Sequence, residues 1–528
     1  MSFVRPRFGP IPVSFQKPLL AALSGLLLAL SYPPTNLYLL QWIAFVPLLT
    51  AIEDADGRTA YLLGTVTGFV GIAIGFHWVG EWARIVLEFP LPINHIATVL
   101  YSFAVAQVFG FIFFLFQISR ADLRPVEIFL FPTLFVSIFS AAPILFRFTL
   151  GDAQSYFTAA TQTIEFTGVY GLDCLLLLTN IFVYRVFFCP LDRPNFAIVC
   201  ISLSIVLLWF GIGFYRLQVW DRKTAGWAVK RIGLVQTNRN ATLHPSAPQA
   251  PYSRTFPKEI ALSRMLLPEK PEIIVWPEGN FFGYSFWSEV PDAFRSHIAE
   301  MAVPVLFHDI TRRYTGGGNR TYNSTILIDE TGSFQDQYDK MIRVPFGEYV
   351  PLTERFPFIK KLLEELLGDF LTNLGKGERH KTFISTGMKL VPIICYESLF
   401  PEFVAESIRQ SPKGKVLVVQ SQDGWYGKSG ASEQHLTSSA LRAIENRVPL
   451  VHVINNGRSG VVLPTGRYVF ISDFFREGQW VVEMPYDSDS GGSFYSRYPY
   501  LFVYAIRFFL ILFVFPFCYK GIKKRFAF

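Results

Sequence analysis

The chain has 528 residues, a formal net charge of +7 and a mean hydropathy of +0.31. Hydrophobic residues make up 51% and charged residues 17%, against roughly 25% charged in an ordinary soluble protein, and Phe alone occurs 53 times. That balance excludes intrinsic disorder and a wholly soluble globular chain. The charge is unevenly spread: residues 1–220 hold 22 Asp, Glu, Lys and Arg, about 10%, and residues 221–528 hold 67, about 22%. The first part has the composition of a membrane domain. The second is long enough for a soluble domain with its own core.

A bilayer core is crossed by ~20 apolar residues in a helix. In chain order, residues 18–52 have room for two such helices, broken at Ser31-Tyr32-Pro33-Pro34-Thr35-Asn36. Residues 59–80 predict a third, 89–119 a fourth, 128–146 a fifth, 166–184 a sixth interrupted by Asp173, and 194–215 a seventh. Residues 498–517 predict an eighth, which contains Arg507. Arg5, Arg7, Lys17, Arg58, Arg120, Arg124, Arg185, Arg193 and the basic tail Lys520, Lys523, Lys524 and Arg525 fall on one set of connections; only Arg84 and Arg147 fall on the other. The positive-inside rule then predicts both termini in the cytoplasm. Seven helices before the soluble part put that part on the outer side. The first apolar run reads as an anchor and not as a removed signal. The basic residues follow the loops and form no nucleic-acid footprint.

The expected division is therefore a membrane domain over 1–220, a catalytic domain over 221–490, and a final helix with a basic cytoplasmic tail over 491–528. Within the soluble part, Val- and Ile-rich runs at 231–237, 272–276, 303–310, 324–328, 390–395, 416–420, 450–454 and 460–463 predict strands. Residues 329–332 and 464–467 carry turn signals, and 291–301, 359–367, 400–410 and 432–446 carry helical patterns. The expected class is α/β with a mixed sheet.

Five cysteines occur, at 174, 189, 200, 395 and 518, and only Cys395 lies in the soluble part. It ends an apolar strand and precedes Tyr396-Glu397-Ser398, where a buried strand emerges into a turn. From that segment alone an inert buried thiol is the simpler reading. Two other segments change the balance. Val275-Trp276-Pro277-Glu278-Gly279 puts a carboxylate just after a strand, and residues 338–351 put Lys340 and Glu348 in a stretch ordered by Pro and Gly. A thiol needs a base, and a confined carboxylate can be one. The oxyanion of a tetrahedral intermediate needs donors, and a Lys ammonium with a backbone N–H can supply them.

Glu278, Lys340 and Cys395 in that chain order resemble the catalytic set of the nitrilase, or carbon–nitrogen hydrolase, superfamily. Asp423-Gly424-Trp425-Tyr426-Gly427, the segment from Gln434-His435 to Arg447, and Asn455-Asn456-Gly457-Arg458-Ser459-Gly460 extend the likeness. A multi-span domain before such a domain, with one helix after it, resembles the apolipoprotein N-acyltransferases. Tyr32-Pro33-Pro34-Thr35-Asn36, residues 42–49, Gly168-Val169-Tyr170-Gly171-Leu172 and residues 344–351 carry that similarity over nearly the whole chain.

The resemblance implies a multi-span α-helical membrane domain joined to an α/β nitrilase-like domain, an αββα sandwich. It implies that an acyl chain passes from a membrane phospholipid to Cys395 as a thioester. The chain then goes to the α-amino group of the N-terminal diacylglyceryl-cysteine of an apolipoprotein. Glu278 would be general base, Lys340 oxyanion stabiliser and Cys395 nucleophile. Glu348 and Glu397 would support the site, and the Tyr396 N–H would be a second oxyanion donor. No cofactor and no metal are expected. The expected setting is a monomer in a bacterial inner membrane with its catalytic domain in the periplasm. The sequence departs from the family over 235–248: Gln236 and Asn238 persist, but no Trp follows nearby.

Other features read blandly. Asp423 and Trp425 pack a turn, His435 and His452 are structural, and Gly316-Gly317-Gly318 lacks the Lys of a phosphate loop. Two competing functions are a membrane-tethered amidase or nitrilase that uses the same three residues with water as acceptor, and a transporter with a dead soluble domain. Transporters keep paired ionisable residues at mid-depth; here only Asp173 and Arg507 interrupt the spans.

Overall fold

The structure is a computed structural model that describes residues 13–512, apart from 124–126, 191, 243–246, 280–282, 316–317 and most of 352–372. The helical pattern at 359–367, Arg5, Arg7, Arg124, His244 and Cys518 lie outside the described residues. The chain divides into two compact units. The first comprises Met1–Gly80, Leu91–Leu217 and Tyr498–Phe528; the second comprises Glu81–Pro90 and Gln218–Arg497.

The first unit is helical among its described residues. Its main helices are α1 (Val13–Ser31), α2 (Val46–Ala51), α3 (Gly57–Gly75), the first two residues of α4 (Val79–Val86, otherwise in the second unit), α5 (Ile93–Leu123), α6 (Glu127–Phe139), α7 (Val169–Phe188) and α8 (Arg193–Ala225, whose residues from Gln218 on belong to the second unit). Gly57–Gly75, Ile93–Arg120, Val169–Phe188 and Asn195–Ala225 are long and apolar enough to cross a membrane. Phe15–Ser31, Tyr38–Ala51, Glu127–Phe139 and Leu501–Leu512 are shorter apolar helices. Asp56 caps α3 by accepting the Thr59 N–H at 2.8 Å.

Two glycines let helices meet. A Cβ on Gly25 would lie 2.5 Å from the Thr67 carbonyl oxygen, and one on Gly68 would lie 2.9 Å from the Ala106 Cα. The abundance of Phe also finds its use here, because the rings of Phe45, Phe113, Phe131 and Phe135 pack edge-on and tilted at centroid separations of 5.4–6.1 Å. The two charges that interrupt the apolar runs are bonded. Asp173 accepts the Gly151 N–H at 2.7 Å, and the Arg507 guanidinium donates to Ser140 Oγ at 3.1 Å.

The second unit is built on two six-stranded sheets. Its strands are β1 (Ala228–Gln236), β2 (Ile273–Val275), β3 (Val305–Thr315), β4 (Gly318–Ile328), β5 (Phe334–Asp339), β6 (Phe383–Ser385), β7 (Met388–Ile394), β8 (Lys415–Ser421), β9 (Leu450–Ile454), β10 (Gly460–Val462), β11 (Tyr468–Ile471) and β12 (Gly478–Tyr486). One sheet runs β12-β1-β2-β3-β4-β5 and the other β11-β10-β9-β8-β7-β6. Both are mixed: β1-β2-β3 and β7-β8-β9 pair in parallel, and the outer pairs are antiparallel.

Side-chain alternation decides the layers. Ile273, Val275, Leu306, Leu390, Ile394, Val416, Val418 and Val451 form one core between the sheets. Their neighbours Ile274, Val305 and Phe307 turn to the other face, onto α9 (Lys258–Leu266) and α10 (Glu289–Met301). Val391, Ile393, Leu417, Val419 and Leu450 likewise pack with α11 (Pro401–Gln410) and α12 (Ala431–Asn446). The layers are helix, sheet, sheet and helix, as expected for an αββα sandwich.

Candidate active site

Three strands end at one place. Trp276 and Pro277 follow β2 and lead to Glu278; Gly279 after it has φ +73°, which turns the chain sharply away. Lys340 is the first residue after β5, and Cys395 is the first after β7. Cys395 opens a 3₁₀ turn, Cys395–Leu399, with φ +49°, a left-handed conformation that costs a non-glycine residue of order 1–3 kcal/mol. β2 and β5 belong to one sheet and β7 to the other. A direct tie joins the sheets beside the site. Thr325 Oγ1 donates to Gln420 Oε1 at 2.7 Å, and Gln420 Nε2 donates to the Trp276 carbonyl at 2.6 Å.

The sequence-predicted residues converge. Lys340 Nζ lies 2.8 Å from Glu348 Oε1 and 3.7 Å from Glu278 Oε1. Glu278 also accepts the Gln422 N–H at 3.2 Å, and the Cys395 thiol lies beside it. Glu348 accepts the Val344 N–H at 2.8 Å, and so fastens the loop that follows Lys340. Glu397 is fully buried and supports the walls. It accepts from the N–H groups of Met341 at 2.7 Å, Ile342 at 3.1 Å and Ile394 at 2.8 Å, and from the Tyr338 hydroxyl at 2.8 Å.

Asn323, on β4, was not singled out by the sequence. Its Nδ2 donates to Glu278 Oε1 at 2.7 Å and to Glu348 Oε1 at 2.8 Å, so one amide bridges both carboxylates. Its orientation is fixed by His308. His308 Nδ1 accepts the Gly279 N–H at 3.1 Å, so the ring proton sits on Nε2 and is donated to Asn323 Oδ1 at 2.6 Å. The only trace in the sequence is a polar Asn323-Ser324-Thr325 inside a strand whose later residues are apolar.

Burial and charge set the protonation states. Burial opposes the charge on Glu278, but the Lys340 ammonium and the Asn323 amide outweigh it and hold the carboxyl below its ordinary value. Burial also opposes the Lys340 ammonium, yet Glu348 and then Glu278 hold it above its ordinary value. Burial, with Glu278 beside it, pushes the Cys395 thiol well up. Burial pushes Glu397 up to about 7. In the resting state the proton therefore sits on sulfur, beside a free carboxylate and a fixed ammonium.

Residues expected to be structural also lie here. His435, on α12, has its Nε2 2.8 Å from Ser398 Oγ and 3.3 Å from the Cys395 carbonyl oxygen, and its Nδ1 2.9 Å from Asp423 Oδ1. His452 meets His435 edge-on at a ring-centroid separation of 5.0 Å. The 455–460 segment fastens the chain after β1: Asn455 accepts from Thr237 and Arg239, and Asn456 donates to Asn238. Among the described residues no group of three or more His, Cys, Asp or Glu could hold a metal.

Residues 24–182 match the family described as the apolipoprotein N-acyltransferase N-terminal domain, and residues 234–488 match the carbon–nitrogen hydrolase family. The apolipoprotein N-acyltransferase of Geobacter metallireducens is 30% identical over 514 residues, covering 92% of each chain. That of Bdellovibrio bacteriovorus is 28% identical over 495 residues, covering 88% of this chain and 87% of its own. Among solved structures, an amidase from Nesterenkonia sp. aligns with 48% of this chain and 90% of its own, at 18% identity and a TM-score of 0.35.

Proposed function

The chain belongs to the apolipoprotein N-acyltransferase family, and from that premise we propose that Glu278, Lys340 and Cys395 perform its acyl transfer. The enzyme takes an acyl chain from a membrane phospholipid and passes it, through a Cys395 thioester, to the α-amino group of a diacylglyceryl-cysteine on an apolipoprotein. The observation that carries the assignment is the convergence of the three side chains, buried, at the ends of strands from both sheets.

In the first half-reaction the Cys395 thiol gives its proton to Glu278 while sulfur adds to the ester carbonyl carbon. A carbon–sulfur bond forms and the carbonyl oxygen takes the negative charge. The Lys340 ammonium and the Tyr396 N–H receive that oxyanion. The intermediate collapses by breaking the carbon–oxygen bond to glycerol. Glu278 returns its proton to the leaving oxygen, and a lysophospholipid departs. In the second half-reaction the neutral α-amine attacks the thioester, Glu278 takes one of its protons, and the expelled sulfur recovers it. The depressed Glu278 supports this role because it is an ionised base at neutral pH. Asn323 and Glu348 hold Glu278 and Lys340 in register, and Glu397 holds the Lys340 loop against the end of β7.

The apolar helices of the first unit anchor the enzyme where both substrates reside. The distribution of Lys and Arg supports cytoplasmic termini and a catalytic domain in the periplasm of a bacterial inner membrane. The enzyme works as a monomer without a cofactor.

Purified protein incubated with labelled phospholipid should acquire a hydroxylamine-sensitive acyl group, and Cys395→Ala should acquire none. A diacylated lipopeptide added next should become N-acylated. Thioester formation without transfer to the peptide would favour hydrolysis by water and overturn the transferase reading. Glu278→Gln should keep the fold and lose thioester formation; an unchanged rate would remove its role as base.

A further inference from the structure

The mechanism above leaves one buried ionic pair beside the nucleophile unused. His435 is buried, and hydrogen-bond bookkeeping at its ring specifies its protonation. Asp423 Oδ1, 2.9 Å away, is a carboxylate oxygen and can only accept, so Nδ1 carries a proton. On the other side, the Ser398 hydroxyl donates to the Cys395 carbonyl at 2.9 Å. Its oxygen is then left to accept from His435 Nε2 at 2.8 Å, and Nε2 also faces the same carbonyl at 3.3 Å. Every contact is satisfied only when both ring nitrogens carry protons. Asp423 and Ser421 complete the set, the latter donating to Asp423 Oδ1 at 2.9 Å. The ring is an imidazolium paired with a carboxylate, and its other ring neighbour is the uncharged His452.

The carbonyl that this cluster grips belongs to the same peptide plane as the Tyr396 N–H. In a trans peptide the C=O and N–H vectors are rigidly antiparallel. Two donors on the Cys395 oxygen, one of them cationic, therefore aim the Tyr396 N–H and draw electron density away from it. Charge-assisted hydrogen bonds are the stronger kind, and they polarise the groups they engage. Cys395 needs such a clamp because its φ of +49° is a conformation that the backbone does not choose unaided.

We propose that His435, held as an imidazolium by Asp423, is a positioning residue for acyl transfer: through Ser398 and the Cys395 carbonyl it orients and polarises the Tyr396 N–H toward the oxyanion. This rests on the reading of Cys395 as nucleophile and the Tyr396 N–H as oxyanion donor. The ring's polar contacts are with Asp423, Ser398 and the Cys395 carbonyl. Its effect passes through one peptide group.

The test separates an oxyanion effect from loss of the nucleophile. Alkylation of a thiol by iodoacetamide is a displacement at carbon and develops no oxyanion, whereas thioester formation does. Full-length His435→Gln, Asp423→Asn and Ser398→Ala proteins in phospholipid vesicles would be followed in two assays. One is single-turnover thioester formation from labelled phospholipid; the other is iodoacetamide labelling of Cys395, read on its peptide by mass. The expected result for His435→Gln and Asp423→Asn is thioester formation slowed about 10- to 100-fold, the range set by misplaced or weakened oxyanion donors. Cys395 alkylation and the half-saturating phospholipid concentration should stay within about twofold of wild type, since neither depends on the donor. Ser398→Ala should move the same way by a smaller factor. Wild-type acylation rates in the first two variants would overturn the proposal. So would alkylation that falls in parallel with acylation, which would make the cluster a support of the fold or of the thiol itself. A wild-type protein that forms no thioester would remove the proposed function, and this inference with it.

Discussion

Asn323 shows how much one neutral side chain can decide. Its amide lies between two carboxylates that would otherwise repel across a shared ammonium. Asn323→Asp would replace two donors by a third negative charge and raise the Glu278 pKa. Because Glu278 is held below its ordinary value of 4.5, the wild-type rate of thioester formation should stay level down to below pH 4.5. The acid limb in Asn323→Asp should move upward, and the plateau should fall about 100-fold. Rapid-quench measurement of thioester formation across pH 4–8 checks both; an unmoved limb would dissociate Asn323 from the base. His435 gives a prediction of opposite sign. Burial opposes its charge, but Asp423 outweighs burial and raises its folded pKa above 6.5. The groups that face it are Asp423, the uncharged His452, the Cys395 carbonyl and the more distant Glu278. Its contribution to stability is therefore fully present below pH 6.5 and is lost as pH rises through the folded value. In Asp423→Asn that part of the alkaline decline in melting temperature should disappear. Glu278, Lys340 and Cys395 were legible in the sequence because each sits in a short motif at a strand end. Asn323, His308 and His435 were not, because what makes them matter is a partner 12 to 45 residues away that only the folded chain brings near.

At the scale of elements, the buried strands were the readable ones. β7, β8 and β9 are continuous apolar runs covered on both faces, and the sequence marks them plainly. β5, β6, β11 and β12 escaped. β5 reads Phe334-Gln335-Asp336-Gln337-Tyr338-Asp339, an edge strand whose polar residues face out; β6 has only three residues; β12 carries Glu483 and Pro485 at the other edge. Edge strands carry such residues because an unpaired side must resist pairing with another chain. Arg507 interrupts the last apolar run in the sequence, and its partner Ser140 lies 367 residues away. The turn after β2 gives an element-level test. Gly279 has φ +73°, and a Cβ there would meet the Gln422 side chain at 3.2 Å. Gly279→Ala should cost about 1–2 kcal/mol of stability in denaturant unfolding, the cost of a left-handed alanine. It should also slow thioester formation, because Glu278 is the preceding residue. A variant as stable and as fast as wild type would show that the turn relaxes without moving the base.

For the molecule as a whole, the proposed orientation is testable without activity. Alkaline phosphatase fused at the C-terminus should be inactive and a fluorescent protein fused there should shine, as expected of a cytoplasmic end; the reverse pattern would invert the topology. The three proposed catalytic residues have a different consequence at this scale. Glu278 and Lys340 ride on one sheet and Cys395 on the other, joined near the site by Gln420. The distance from the Glu278 carboxylate to the Cys395 sulfur is therefore a gauge of how the sheets are aligned, and the site is sensitive to shear. A slip of about 1 Å between layers would leave every strand intact and still cost on the order of 100-fold in rate. Mild urea should thus silence the enzyme before its circular dichroism changes, and Gln420→Leu should widen the gap between those two midpoints.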